Sequence, residues 1–228
     1  MARTDRYWLL HIFLHPDRGP MLGSGRRRSA ATYLTDEVRT MTTSSATSTR
    51  QVNGVDLDTL MATVQQIKDD PGLGVCRFRA RNAWLGGNRN RTTVSEFHGA
   101  RQDIPHLQTF TLEADEPPIL AGHDEGANPV EHLLHALASC LTTSMVAHAA
   151  VRGIAIEALE SELEGDINLN GFLGLDPNMP KGYTEIRARF RVKARPEDLP
   201  RIRELAEFSP VFNTITQGAR VVVDVQAS

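Results

Sequence analysis

Hydrophobic and polar positions change their period several times along this chain, and each change marks an element. From Asn128 to His148, Val130, Leu133, Leu134, Leu137, Leu141 and Met145 recur at helical spacing, while Ala136, Ser139, Thr143, Ala147 and Ala150 keep another face small. Asn128 is a natural N-cap, and Pro129 fits the first helical position, where the missing N–H has no partner to lose. Gly153 closes this long helix. Before it, Val55, Leu57, Leu60, Met61, Val64 and Ile67 predict a helix over 55–70, ended by Asp70-Pro71-Gly72. Residues 77–85 alternate, Gly86-Gly87-Asn88 signals a hairpin, and Arg91–Phe97 and Gln108–Glu113 follow as strands.

After the long helix, alternation resumes from Ile154 to Ile167, a loop covers Asn168–Gly182, and Tyr183–Ala194 is a strand. Pro196 starts a helix that Ser209-Pro210 interrupts, Gly218 ends the second piece, and Arg220–Val225 is expected to be a final strand. The order α, β-β-β, α, β-β, α-α, β argues for an α+β fold with helices on one side of antiparallel sheet. The long helix is apolar or small over most of its circumference, more than one sheet can bury. Packing two such helices across a two-fold axis resolves this, so a homodimer is expected.

Residues 42–54 are rich in Ser and Thr and carry no core pattern. Together with residues 1–41 they are assigned to a lead, 1–54, outside a single domain over 55–228, with Met41 as an alternative start. Tyr7–Leu14 is apolar but leads into Arg26-Arg27-Arg28 rather than a small-residue cleavage site. No run reaches the roughly 18 continuous apolar residues of a spanning segment, so no membrane partner is expected. With 25 basic against 28 acidic side chains and a formal charge of −3, bulk attraction to nucleic acid is excluded as well. Two cysteines, Cys76 and Cys140, are too few for a disulfide framework and point to a reducing, cytoplasmic setting.

Function must therefore come from a site. Cys140, in the middle of the long helix, has two readings: a small buried hydrophobe, or a nucleophilic thiolate. The second needs a cation, and the arginine-rich hairpin (Arg79, Arg81, Arg89, Arg91) is the evident source. Glu131 lies in the first helical turn, nine residues before Cys140 and about half a turn round the helix, so it can orient an arginine but not touch the thiol. His132 and His135 lack a third ligand in register, and no phosphate-binding glycine loop is present, so neither metal nor cofactor is expected.

Asn128-Pro129-Val130-Glu131, the run Leu-Leu-His-Ala-Leu-Ala-Ser-Cys140, and Ser209-Pro210-Val211-Phe212-Asn213-Thr214-Ile215 together resemble the OsmC/Ohr superfamily of osmotically induced and organic-hydroperoxide-resistance proteins. The likeness runs from about Leu73 to Val225. It implies a two-layer α+β fold, antiparallel sheet wrapped around the central helix, in an intertwined homodimer with active sites at the subunit interface. In the peroxidase members the helix cysteine attacks an organic hydroperoxide, and a hairpin arginine held by a glutamate stabilises the thiolate. A second cysteine then forms a disulfide that an external dithiol reopens. Cys140 matches the attacking cysteine, Arg89 is the nearest match to the arginine with Arg91 as its rival, and Glu131 is the candidate carboxylate.

Two positions depart from that pattern. The second cysteine falls at Ser209, whose hydroxyl cannot form a disulfide, and Val130 stands where the family glutamate directly follows the proline. Cys76 is the only other thiol, and nothing in the sequence brings it to Cys140. Two functions remain open: a single-cysteine hydroperoxide reductase resolved by an external thiol, or a non-catalytic dimer binding a small hydrophobic ligand at the interface.

Overall fold

The computed structural model describes residues 49–227, so most of the lead, Met41 and the Tyr7–Leu14 run lie outside the described residues. Residues 51–54, grouped with the lead by composition, instead belong to a small hairpin. Strand β1 (Gln51–Val52) pairs antiparallel with β2 (Val55–Asp56). Asn53 and Gly54 take the left-handed conformation the turn needs, with φ of 54° and 75°. Asn53 also carries a tertiary role that composition does not reveal: its side chain donates to the Ile154 carbonyl (3.0 Å) and accepts from the Ile156 N–H (2.8 Å). Helix α1 (Leu57–Asp69) follows, with the Asp56 carboxylate accepting from the Asp58 and Thr59 N–H groups at 3.0 Å each.

The expected meander is present and longer than its pattern. Strands β3 (Arg77–Phe78), β4 (Arg81–Gly86), β5 (Arg89–Gly99) and β6 (Gln102–Ala114) form an antiparallel sheet in which β5 pairs with the other three. Its register shifts between Val94 and Glu96, where Pro105 sits opposite, so the proline falls where a ladder bond is already disturbed. Much of this sheet is uncovered: Phe78, Trp84 and Leu107 are 76%, 75% and 76% exposed.

The central helix α2 (Pro129–Val151) opens with a capping box, in which Asn128 accepts from Val130 and Glu131 while Glu131 accepts from the Asn128 N–H. By length and composition this one helix among the described residues would suit a membrane span, but it buries Leu137, Leu141, Met145, Ala149 and Ala150 against protein. Gly153, at φ 67°, turns the chain so that the Ile154 N–H returns to the Ala149 carbonyl at 2.9 Å. Next come β7 (Ile156–Asp166), a short helix α3 (Leu169–Phe172), and β8 (Glu185–Ala194), which pairs antiparallel with β7. Glu160, Glu162, Glu164 and Asp166 on β7 face Arg187, Arg189 and Arg191 on β8, while Leu159, Leu163, Ile186, Phe190 and Val192 point into the core. The basic strand is thus one half of a charge ladder, with Arg187 held by Glu164, Asp166 and Glu185.

Asp198, 2% exposed and clamped by Arg195 at 2.8 Å, opens helix α4 (Leu199–Glu204), which continues as a 3₁₀ turn over Leu205–Phe208. Ser209 then caps α5 (Pro210–Gln217) by accepting from the Phe212 N–H at 3.2 Å. The core lies between α2, the inner face of β7–β8 and these C-terminal helices, and centres on Leu137, Leu141, Met145, Ile154, Ile202 and Leu205. Burying each of its aliphatic side chains stabilises the fold by about 1.5–3 kcal/mol.

The α+β class is as expected. Among the described residues the strands form three separate antiparallel sheets, and one detail differs from expectation. The expected final strand, Arg220–Val225, has no strand partner among the described residues, and Val221, Val222, Val223 and Val225 are 72–88% exposed. An apolar β-branched run finds its place in a sheet only when an edge is within reach.

Candidate functional site

The four side chains expected to cooperate are each placed by a different local constraint. Cys140 lies about three turns into α2, half-buried, and both cysteines are free thiols. No hydrogen bond reaches its Sγ among the described residues. It shares the helix face of Ala136, Ser139, Thr143 and Ala147, turned away from the buried Leu137–Leu141–Met145 stripe. Thr143 returns its hydroxyl to the Ser139 carbonyl (3.0 Å) and the Cys140 carbonyl (3.2 Å), so it supports the helix backbone rather than the thiol.

Arg89 begins β5 and is paired with Glu125 at 2.9 Å. Arg91, two residues on, is paired with Glu113 on β6 at 2.5 Å. Glu131 is held by the capping box, its Oε2 accepting from the Asn128 N–H at 2.9 Å. Nine residues of helix separate it from Cys140, about 13.5 Å of rise. Within one chain the structure therefore does not join Arg89, Arg91 or Glu131 to Cys140 by any hydrogen bond or ion pair among the described residues. It does bring both arginines to the segment that leads into α2, because His132 Nε2 meets the Glu113 carbonyl at 3.0 Å, and Asn88 donates to the Leu120 carbonyl at 2.8 Å.

The residue that organises this segment is Asp115, which is absent from the sequence-based candidates. Asp115 is 1% exposed, and its carboxylate accepts from the backbone N–H groups of Glu116 (2.8 Å), His123 (2.9 Å) and Glu125 (3.3 Å). Burial penalises its charge, but those three donors and nearby His123 prevail, and the carboxyl stays below its ordinary range. Asp115 thereby fixes the loop that presents Glu125 to Arg89. The sequence signal was an acidic pair, Asp115-Glu116, at the end of a strand, followed by two prolines and a turn containing Gly122 and Gly126.

Tyr183 closes the other side of the α2 N-terminus by donating to the Val130 carbonyl at 3.0 Å. Burial and the nearby Glu131 carboxylate push its phenol above the ordinary range. At the opposite end of the helix, His148 stacks on Phe208 with centroids 4.1 Å apart. Burial, and then the adjacent Arg152, lower the pKa of that imidazole.

Ser209, where the sequence resemblance leads one to expect a second cysteine, is completely buried and occupied as the α5 cap. Cys76 is exposed beside Gly99 in the four-stranded sheet. No cluster of three or more potential metal ligands occurs among the described residues.

Fold and site together define an α+β protein with one free thiol on the small-residue face of its central helix. Residues 122–224 match the family model described as OsmC-like protein, so this stretch is similar to that family. Among solved structures it is similar to an OsmC like protein from Mycoplasma pneumoniae, at 21% identity, covering 62% of this chain and 88% of that one, with a TM-score of 0.44. A putative osmotic stress induced and detoxification response protein from Psychrobacter arcticus 273-4 is 16% identical, over 59% and 85% of the two chains, with a TM-score of 0.45. An organic hydroperoxide resistance protein OsmC from Legionella pneumophila, described as a predicted redox protein and regulator of sulfide bond formation, is 16% identical over 60% and 89%, with a TM-score of 0.41. No curated protein matches the chain.

Proposed function

We propose that the protein is a thiol-dependent redox protein that reduces organic hydroperoxides with Cys140 as its single peroxidatic cysteine. The observation that carries this reading is the placement of an unbonded, half-exposed thiol on the small-residue face of α2, away from the packed core. The Cys140 thiolate sulfur attacks one peroxide oxygen, the O–O bond breaks, and the departing alkoxide takes a proton and leaves as the alcohol. Sulfur keeps the other oxygen as a sulfenic acid, having given up two electrons. With Ser209 unable to condense with it, an external dithiol, for which a reducing cytoplasm is the natural setting, displaces water to form a mixed disulfide. The dithiol's second sulfur then releases Cys140 and is itself oxidised to a disulfide.

Thiolate formation at neutral pH needs a cation. No arginine among the described residues is hydrogen-bonded to Cys140, and α2 leaves its small face open, so the reading includes a homodimer in which a second copy supplies Arg89 or Arg91. Exposure of Phe78, Trp84 and the terminal valines supports such a partner.

The test is to mix the purified protein with stoichiometric cumene hydroperoxide or hydrogen peroxide and follow Cys140 with a sulfenic-acid probe. Fast, organic-selective oxidation is expected, together with a light-scattering mass of two chains. Oxidation no faster than free cysteine, or a one-chain mass at micromolar concentration, would sink the proposal.

A second reading, a non-catalytic dimer holding a small hydrophobic ligand at its interface, draws on one observation. Ser209 is buried and committed as a helix cap, so the chain has no thiol at the family's resolving position. Under that reading Cys140 oxidises slowly and without selectivity.

A further inference from the structure

A cavity of about 670 Å³ opens inside the chain, between α2, the inner face of β8 and the C-terminal helices. Leu137, Leu141 and Met145 form one wall, Ala188 and Phe190 another, and Ile202 a third. Its size is that of a small-molecule site, and its walls are apolar. It is not the face that carries the thiol: Cys140 immediately precedes Leu141, so its side chain leaves the helix about 100° away. It also lies within one chain, whereas the open small face of α2 points elsewhere.

The opening carries one cation. Arg203 lines the cavity and enters no ion pair among the described residues, whereas Arg195 and Arg201 are held by Asp198, and the β8 arginines by acids of the charge ladder. Glu207 stands four residues later on the same rim. An apolar chamber with a single guanidinium at its mouth matches a molecule with one anionic head and an aliphatic tail, and Glu207 disfavours a second negative group. We infer that this cavity is a binding site for an aliphatic monocarboxylate, with the tail against Leu141 and Phe190 and the carboxylate on Arg203. The inference does not rest on the redox reading of Cys140, nor on a ligand at the subunit interface.

Calorimetric titration of the full chain with dodecanoate and with dodecanol tests it, using the Cys140→Ser variant so that thiol chemistry cannot contribute. Saturable binding of dodecanoate at one equivalent per chain is expected, with dodecanol weaker. Arg203→Ala should weaken dodecanoate about tenfold, the scale of one hydrogen bond to a charged group, and leave dodecanol unchanged. Glu207→Gln should tighten dodecanoate, and Ala188→Trp, which fills the chamber, should abolish binding of both. Equal affinity for acid and alcohol, or indifference to Arg203→Ala, overturns the assignment. So does the absence of saturable binding by protein shown to be folded by circular dichroism, because the cavity is then closed in the assembled protein.

Discussion

Arg89 and Glu125 form an ion pair at 2.9 Å that ties the tip of the β4–β5 hairpin to the loop leading into α2. In the redox reading this pair positions the cation that a partner's thiol requires. Arg89→Ala is expected to slow Cys140 oxidation by cumene hydroperoxide at least tenfold, about 1.4 kcal/mol or more in barrier. Glu125→Gln, which leaves the cation in place but frees it, should cost less, about two- to fivefold, and raise the apparent pKa of the thiol in a pH–rate profile. If Arg91→Ala produces the larger loss instead, the rival arginine holds the role.

Ser209 links the redox question to stability. Its Oγ accepts from the Phe212 N–H at the start of α5, and the residue is fully buried. Ser209→Ala should lower stability by about 1 kcal/mol in urea denaturation, the usual loss for a removed N-cap. Ser209→Cys introduces a second thiol at this position, as the redox reading would require of a two-cysteine cycle. After one equivalent of hydroperoxide this variant is expected to form an internal disulfide with Cys140, seen as a peptide cross-link by mass spectrometry. Persistence of the sulfenic acid in that variant would show that the two positions cannot meet.

His148 introduces a pH dependence at the far end of α2. Burial and Arg152 hold its folded pKa below the ordinary 6.5, so the native state favours the neutral ring. The unfolded chain therefore takes up the proton first as pH falls. Stability from this group is complete above about 6.5 and is lost as pH drops from there through the depressed folded value. Melting temperatures measured at pH 8 and pH 5.5 should differ more in the wild type than in His148→Phe, which keeps the stack on Phe208 without the proton. Equal pH slopes in the two proteins would assign the dependence to other groups.

Asn53 joins sequence-distant parts of the chain, donating to the Ile154 carbonyl and accepting from the Ile156 N–H. Asn53→Gly keeps the positive φ of 54° accessible but removes both bonds. A loss of about 1–3 kcal/mol is expected from denaturant midpoints, since the Ile154 and Ile156 backbone groups lose their partner. Amide exchange should rise at Ile156 before it rises within α2.

Local chemistry alone was enough to place much of this protein. Asn128, Pro129 and Glu131 write the start of the central helix, Gly153 writes its end, and the alternation around Gly86-Gly87 writes the hairpin, because caps, turns and periods are set by neighbours in sequence. The thiol at Cys140 and its small-residue face were legible for the same reason. Partnerships across space were not. The positions of Arg89 and Arg91 were visible, but their engagement by Glu125 and Glu113 depended on β5–β6 register and on a loop fixed by Asp115, whose three backbone partners no periodicity records. Asn53 looked like part of a polar lead until folding brought it to the end of α2, and Arg203 acquired meaning only when α4 set it at the mouth of a cavity. The valines of 221–225 mark the boundary between the two kinds of information. Their β-branched pattern specifies a strand, but pairing requires an edge supplied by tertiary or quaternary structure, and the single chain leaves them exposed.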